Sequence, residues 1–226
     1  MEKVIIVTGH YGSGKTNLAL NLALRACEAG EENVTLCDLD IVNPYFRTAD
    51  FKGIASQKGI KLLASDYANS NLDVPALSGG LEPAVNGGGT VIVDVGGDDT
   101  GAMALGRYAQ TIKAKPYTML YVVNAYRNLT KCPADAARLL REIEKASRLT
   151  ATHIVNCSNL GAETTADDVI KSRPHADEVA KLTGKTILFT AADRRITEGL
   201  NGFKNLFSVG VYVKPPWDLE YVNQHE

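Results

Sequence analysis

Paired cysteines and long apolar runs are both missing from this chain of 226 residues, and each absence removes a class of protein. The four cysteines, Cys27, Cys37, Cys132 and Cys157, form no CxxC or CxC pair. That spacing argues against a zinc or iron–sulfur centre and for reduced thiols buried in a cytoplasmic protein. No stretch approaches the roughly 18 apolar residues of a membrane span, and the run Val4 to Val7 is too short for a secretory signal. An excess of one charge is missing too. With 24 Lys and Arg against 26 Asp and Glu the net charge is −2, so no overall basic field holds a nucleic-acid backbone. His10, His153, His175 and His225 show no metal-ligand spacing. What is present is an ordinary globular composition, 45% hydrophobic and 22% charged. A chain of this length buries about 70% of its unfolded surface. No repeat, low-complexity tract or linker interrupts it, which predicts a single domain over 1–226.

Short runs rich in Val and Ile alternate with stretches of helical period from one end to the other. The runs are Val4 to Thr8, Val34 to Leu39, Ile60 to Ala64, Thr90 to Val95, Tyr117 to Asn124, Thr152 to Cys157, Lys185 to Thr190 and Val209 to Lys214. This alternation predicts an α/β fold, a doubly wound, mostly parallel sheet of about seven to eight strands with helices on both faces. Runs that are apolar throughout fit strands buried on both sides. Between them, Lys15 to Ala29 carries Leu and Ala around its whole circumference and predicts a central helix stopped by Gly30. Pro133 opens a surface helix to Arg148, with Ala136, Leu139, Leu140 and Ile143 on one face. Thr165, with Asp168 three residues on, marks another helix start, and Pro174 is predicted to kink or divide that helix.

One motif carries chemistry. Gly9-His10-Tyr11-Gly12-Ser13-Gly14-Lys15-Thr16 satisfies G-x-x-x-x-G-K-[ST] between a predicted strand and a predicted helix, the context a phosphate loop requires. The four fixed positions match by chance in roughly one chain of this length per hundred, so a merely glycine-rich turn is a poor explanation. Glycines let main-chain amides curl around a phosphate chain, the helix start adds its positive dipole, and Lys15 neutralises β- and γ-phosphate oxygens. Thr16 offers a hydroxyl to Mg²⁺. Asp38-Leu39-Asp40 ends the second run and Asp94 ends Val91-Ile92-Val93-Asp94, before Val95-Gly96-Gly97. In an open parallel sheet these ends converge on the phosphate-loop side, where carboxylates organise Mg²⁺ and water. Strand-end solvation or helix capping is the alternative reading of Asp38 and Asp40.

With these residues in place the sequence resembles the MinD/ParA group of phosphate-loop ATPases, the set that includes nitrogenase iron protein and the nucleotide domains of cobyrinic-acid-synthase type (CobQ/CobB). The resemblance rests on the loop at 9–16, D-L-D at 38–40, V-I-V-D-V-G-G at 91–97 and H-I-V-N at 153–156. It implies a slow Mg·ATP hydrolase that releases ADP and works as a nucleotide-dependent switch on a partner protein, with a nucleotide-dependent homodimer. Asp40 would then position the attacking water, Asp94 with Asp38 and Thr16 would belong to the Mg²⁺ shell, and Asn156 would read the adenine edge. An ordinary strand-end asparagine is the alternative for Asn156. No N-K-x-D guanine pattern follows it, since the next residues are Cys157-Ser158-Asn159. The family's signature lysine, which reaches a partner's phosphates, is replaced by His10, and the next glycine by Tyr11. A neutral imidazole lacks the permanent charge of an ammonium. Members without that lysine include dethiobiotin-synthetase-like ligases, so an ATP-dependent ligase or kinase of a small metabolite is the second reading. A nonhydrolysing nucleotide sensor or carrier is the third.

The remaining features divide between function and plain structure. Asn43-Pro44-Tyr45-Phe46-Arg47 predicts a loop across the mouth of the site, with Arg47 a candidate for the missing charge and Phe46 a packing residue. Asp98 and Asp99 suit the first turn of a helix better than a metal site. Gly101, Met103 and Gly106 weaken that helix, as a segment reporting nucleotide state would require. Residues 66–89, rich in Gly and Asn, read as a partner or substrate surface or simply as loops. Trp217 in Lys214-Pro215-Pro216-Trp217 reads as a docking tail.

Overall fold

The computed structural model describes residues 1–40, 52–63, 80–97 and 99–213. The loop at 41–50, the first part of the 66–89 stretch, Asp98 and the Trp217 tail lie outside the described residues. Eight strands form one sheet: β1 (Val4–Gly9), β2 (Thr35–Leu39), β3 (Lys61–Leu63), β4 (Val91–Val95), β5 (Tyr117–Val123), β6 (His153–Asn156), β7 (Thr186–Asp193) and β8 (Leu206–Val209). Their order is β3-β2-β4-β1-β5-β6-β7-β8, with every neighbouring pair parallel. The central strands are apolar on both faces because both faces are covered. Ile5 and Val7 pack with Leu18, Leu20 and Leu22 of α1 (Lys15–Glu28) and with Ala55 of α2 (Lys52–Gln57). Val4 and Ile6 pack toward the opposite layer. That layer comprises α3 (Leu81–Asn86), α4 (Asp99–Gly106), α5 (Ala109–Lys113), α6 (Pro133–Ser147) and α7 (Ala166–Thr183). Each fully buried Leu or Ile in these layers contributes about 1.5–3 kcal/mol.

Several sequence expectations meet a different outcome. Helix α7 runs unbroken through Pro174. The missing amide removes the helical donor to the Ile170 carbonyl, on a turn where Ile170 itself is exposed. Thr165 does start this helix, through a reciprocal capping box with Asp168. The last strand lies at Leu206–Val209, earlier than the run beginning at Val209 suggested. Residues 210–213 are extended but fastened to side chains of α1: Asn17 Oδ1 accepts the Tyr212 amide at 2.8 Å, and Asn21 Oδ1 accepts the Gly210 amide at 2.8 Å. Cys132 is exposed at the start of α6 while Cys37 is buried, so the thiols do not share one environment. Within 80–89 a short helix, α3, replaces part of the expected loop. Among the described residues no helix is long and apolar enough to cross a membrane.

Candidate functional site

β1 stands between β4 and β5, and the chain winds away in both directions; the carboxyl ends of the strands at such a switch point are where open parallel sheets bind ligands. Gly9 ends β1, residues 10–14 turn, and Lys15 begins α1. The turn is closed by the Ser13 amide donating to the His10 carbonyl at 3.2 Å. Gly14 caps the helix from the left-handed region, φ 92°, and no side chain caps the first turn. The opening amides of α1 are thereby left to an incoming anion. Lys15 and Thr16 are both buried despite their polarity. Lys15 Nζ donates to the His10 carbonyl at 3.0 Å and stands 5.6 Å from the centre of the Tyr11 ring. His10 Nδ1 lies 3.1 Å from the Tyr11 carbonyl, so the residue in the lysine position is turned onto its own loop.

The carboxylates predicted from the strand ends come together. Asp38 pairs in register with Asp94 across β2 and β4, and Asp40 follows where β2 ends. All three are buried. Asp38 Oδ1 accepts the Asp40 amide at 2.9 Å, which fixes the turn that carries Asp40. Gly96, just past β4, sits against Asp40, since a Cβ there would stand 3.2 Å from its Oδ1. Asp94 is wholly buried, and neither of its oxygens makes a hydrogen bond of good geometry. Burial pushes its carboxyl well above the ordinary carboxylate range, and the neighbouring Asp38 and Asp40 push the same way, against the nearby Lys15 ammonium and Thr16 hydroxyl. A buried carboxylate with no well-formed hydrogen bond, next to a threonine hydroxyl at a phosphate loop, fits a small divalent cation. Mg²⁺ takes one or two protein oxygens and fills the rest of its shell from water and phosphate. No group of three His, Cys, Asp or Glu that could hold a metal ion occurs among the described residues.

On the other side of the loop the arrangement differs from expectation. Asn156 ends β6 and is buried, but its amide is committed within the fold: Nδ2 donates to Ser172 Oγ at 2.9 Å, and Oδ1 accepts Ser158 N at 3.1 Å and Ser158 Oγ at 2.7 Å. Asn156 thus shapes the loop that follows β6. Three residues that sequence reasoning passed over meet the phosphate loop directly. Asn124, wholly buried just past the end of β5, donates from Nδ2 to the Gly12 carbonyl at 3.5 Å and to the Asn159 carbonyl at 3.2 Å, and accepts the Tyr126 amide at 3.0 Å. Arg127 Nε donates to the Gly12 carbonyl at 2.7 Å. Asn159 Nδ2 lies near Gly14, as does Cys157, whose burial raises its thiol to about 12. Asn124 did carry a signal, because it closes an apolar run at the same sheet edge as Asp94. Arg127 carried none.

No family model and no curated protein matches the sequence. Solved structures match the fold. The signal recognition particle 54 kDa protein of Aeropyrum pernix K1, solved with GDP, aligns with a TM-score of 0.57 at 18% identity, over 98% of this chain and 45% of its own. Cell division protein ftsY of Thermotoga maritima gives 0.54 at 20% identity, over 84% of this chain and 61% of its own. Chloroplast FtsY of Physcomitrella patens gives 0.55 at 16%, over 84% and 58%. The chain has the fold of the phosphate-loop NTPases. It spans 45% to 61% of the length of these three structures.

Proposed function

We propose that this chain is a nucleotide-binding domain over 1–226, of the MinD/ParA kind its motifs resemble, that binds Mg·ATP, hydrolyses it by phosphoryl transfer to water and so switches its affinity for a partner protein. The observation that carries the reading is the juxtaposition of an uncapped helix start at Lys15 and Thr16 with a buried Asp94 whose oxygens make no well-formed hydrogen bond. Main-chain amides of Gly9, His10, Tyr11, Gly12, Ser13 and Gly14, with Lys15, would grip the triphosphate. Thr16 and Asp94, backed by Asp38, would hold Mg²⁺, which when bound neutralises charge on the phosphate oxygens. Asp40 would orient the attacking water. Asn156, at the end of β6, would read the adenine edge. Two such domains facing each other across bound ATP would form the nucleotide-dependent dimer that the resemblance implies.

Titration calorimetry with Mg·ATP and Mg·GTP, together with turnover of the wild type, Lys15→Ala and Asp40→Ala, tests the proposal. Binding should vanish in Lys15→Ala, whereas Asp40→Ala should bind and not turn over. Heat from neither purine triphosphate, or turnover indifferent to both substitutions, overturns it. A preference for GTP would replace ATP and align the chain with its GDP-bound structural neighbour. His10 in the lysine position favours a second reading, an ATP-dependent ligase or kinase of a small metabolite, in which turnover rises with that metabolite rather than with a partner protein.

A further inference from the structure

The phosphate loop has two distinguishable flanks. On one, Gly97 after β4 presses on Tyr11, and Asp40 and Asp94 stand nearby. A Cβ on Gly97 would lie 2.6 Å from the Tyr11 amide nitrogen. On the other, Gly12 and Gly14 face the loops after β5 and β6. A Cβ on Gly14 would stand 3.1 Å from Cys157 Sγ, and one on Gly12 would stand 2.7 Å from both Cζ and Nε of Arg127. β4 and β5 lie on opposite sides of β1, so the two flanks face each other across the loop. With the metal and the terminal phosphate on the carboxylate flank, as the proposed function has them, the β5 flank is left for the phosphate next to the sugar.

Arg127 stands on that second flank. Its guanidinium lies flat against Gly12, which has φ 70° and no side chain to obstruct it. The Nε–H is spent on the Gly12 carbonyl, the group is exposed, and among the described residues it forms no ion pair with a carboxylate. A planar fork with its terminal N–H groups left over, anchored to the loop, is suited to a phosphate oxygen. We infer that Arg127 is a nucleotide-binding residue that supplies, from the same chain, the second positive charge the loop lacks at His10, and that it acts on the sugar-proximal phosphate shared by ATP and ADP rather than on the γ-phosphate.

The inference rests on the nucleotide-binding reading, and calorimetry separates the two. Mg·ATP and Mg·ADP are titrated into the wild type, Arg127→Ala and Arg127→Lys at low and at high salt, with thermal melting to confirm that each variant is folded. Arg127→Ala should weaken ATP and ADP by the same factor, on the order of tenfold at low salt. The deficit should shrink at high salt, and Arg127→Lys, which keeps the charge but not the fork, should recover most of the loss. A wild type that binds neither nucleotide overturns the reading and the inference together. A wild type that binds, beside an Arg127→Ala variant of equal affinity, overturns the inference alone. So does a loss confined to ATP, or a deficit that salt leaves unchanged, which would make Arg127 a clamp on the Gly12 carbonyl and no more.

Discussion

Asp38 and Asp94 stand on the same rung of the parallel ladder between β2 and β4, both buried. Like charges at such close quarters repel, and the greater cost falls on Asp94, which is shut off from water and makes no well-formed hydrogen bond. Asp94→Asn removes that cost. Without nucleotide the variant should be more stable than the wild type by about 1–3 kcal/mol, while its Mg²⁺-dependent nucleotide affinity falls. Denaturant unfolding and calorimetry with and without Mg²⁺ read both effects, and a less stable variant would count against an unsatisfied Asp94.

On the proposed function, Asp40 should separate binding from chemistry. Its amide is held by Asp38 and its carboxylate lies beside Gly96, so Asp40→Asn keeps the turn and removes only the charge. Turnover should drop about a hundredfold or more with little change in nucleotide affinity. Single-turnover kinetics beside equilibrium binding make the comparison, and a matched loss of both would assign Asp40 to binding.

Gly97 against Tyr11 ties the end of β4 to the phosphate loop. Gly97→Ala drives a methyl into the Tyr11 main chain, 2.6 Å from its nitrogen, as well as into the ring. Nucleotide affinity should fall at least tenfold, because a loop shift of even a few tenths of an ångström misaligns its amides. Adding Tyr11→Gly should not restore it, since the main-chain collision remains. Recovery in the double variant would mean that the ring alone transmits the strain.

The start of α7 predicts an acid-dependent contribution to stability. Asp168 accepts the Thr165 hydroxyl at 2.6 Å and the Thr165 amide at 2.9 Å, and these bonds, the hydroxyl's first, hold its carboxyl below the ordinary range. A carboxylate lowered on folding stabilises the fold above its unfolded value, about 3.9, and that gain is lost as pH falls through the folded value. Asp168→Asn should therefore melt below the wild type at neutral pH, and the gap should close as the pH falls through the lowered folded value. A gap that persists unchanged into acid would show that the cap works without its charge.

What the residues disclosed by themselves was whatever is local or repeats along the chain. The strand runs, the loop at 9–16 and the carboxylates at 38, 40 and 94 each come from a short pattern whose geometry the parallel sheet dictates. The contacts that complete the far flank do not. Arg127 reaches Gly12 across 115 positions and Asn124 meets Asn159 across 35, and no spacing rule links such pairs. Asn156 shows the same limit from the other side: its place at a strand end was legible, but the capture of its amide by Ser172 depends on how α7 packs. The misplaced last strand has a similar origin, because residues 210–213 satisfy their main chain on asparagine side chains instead of a ladder.

Those asparagines sit on the first two turns of α1, directly after Lys15 and Thr16, and the Gly210 carbonyl receives both Asn17 Nδ2 and Asn21 Nδ2 at 2.9 Å. The helix whose tip carries the phosphate-loop motif is therefore laced along its flank to a part of the chain some 190 residues downstream. Any tilt or slide of that helix must drag residues 210–213 with it or tear the lacing, which makes those few asparagine contacts a mechanical linkage between the loop and the segment that follows β8.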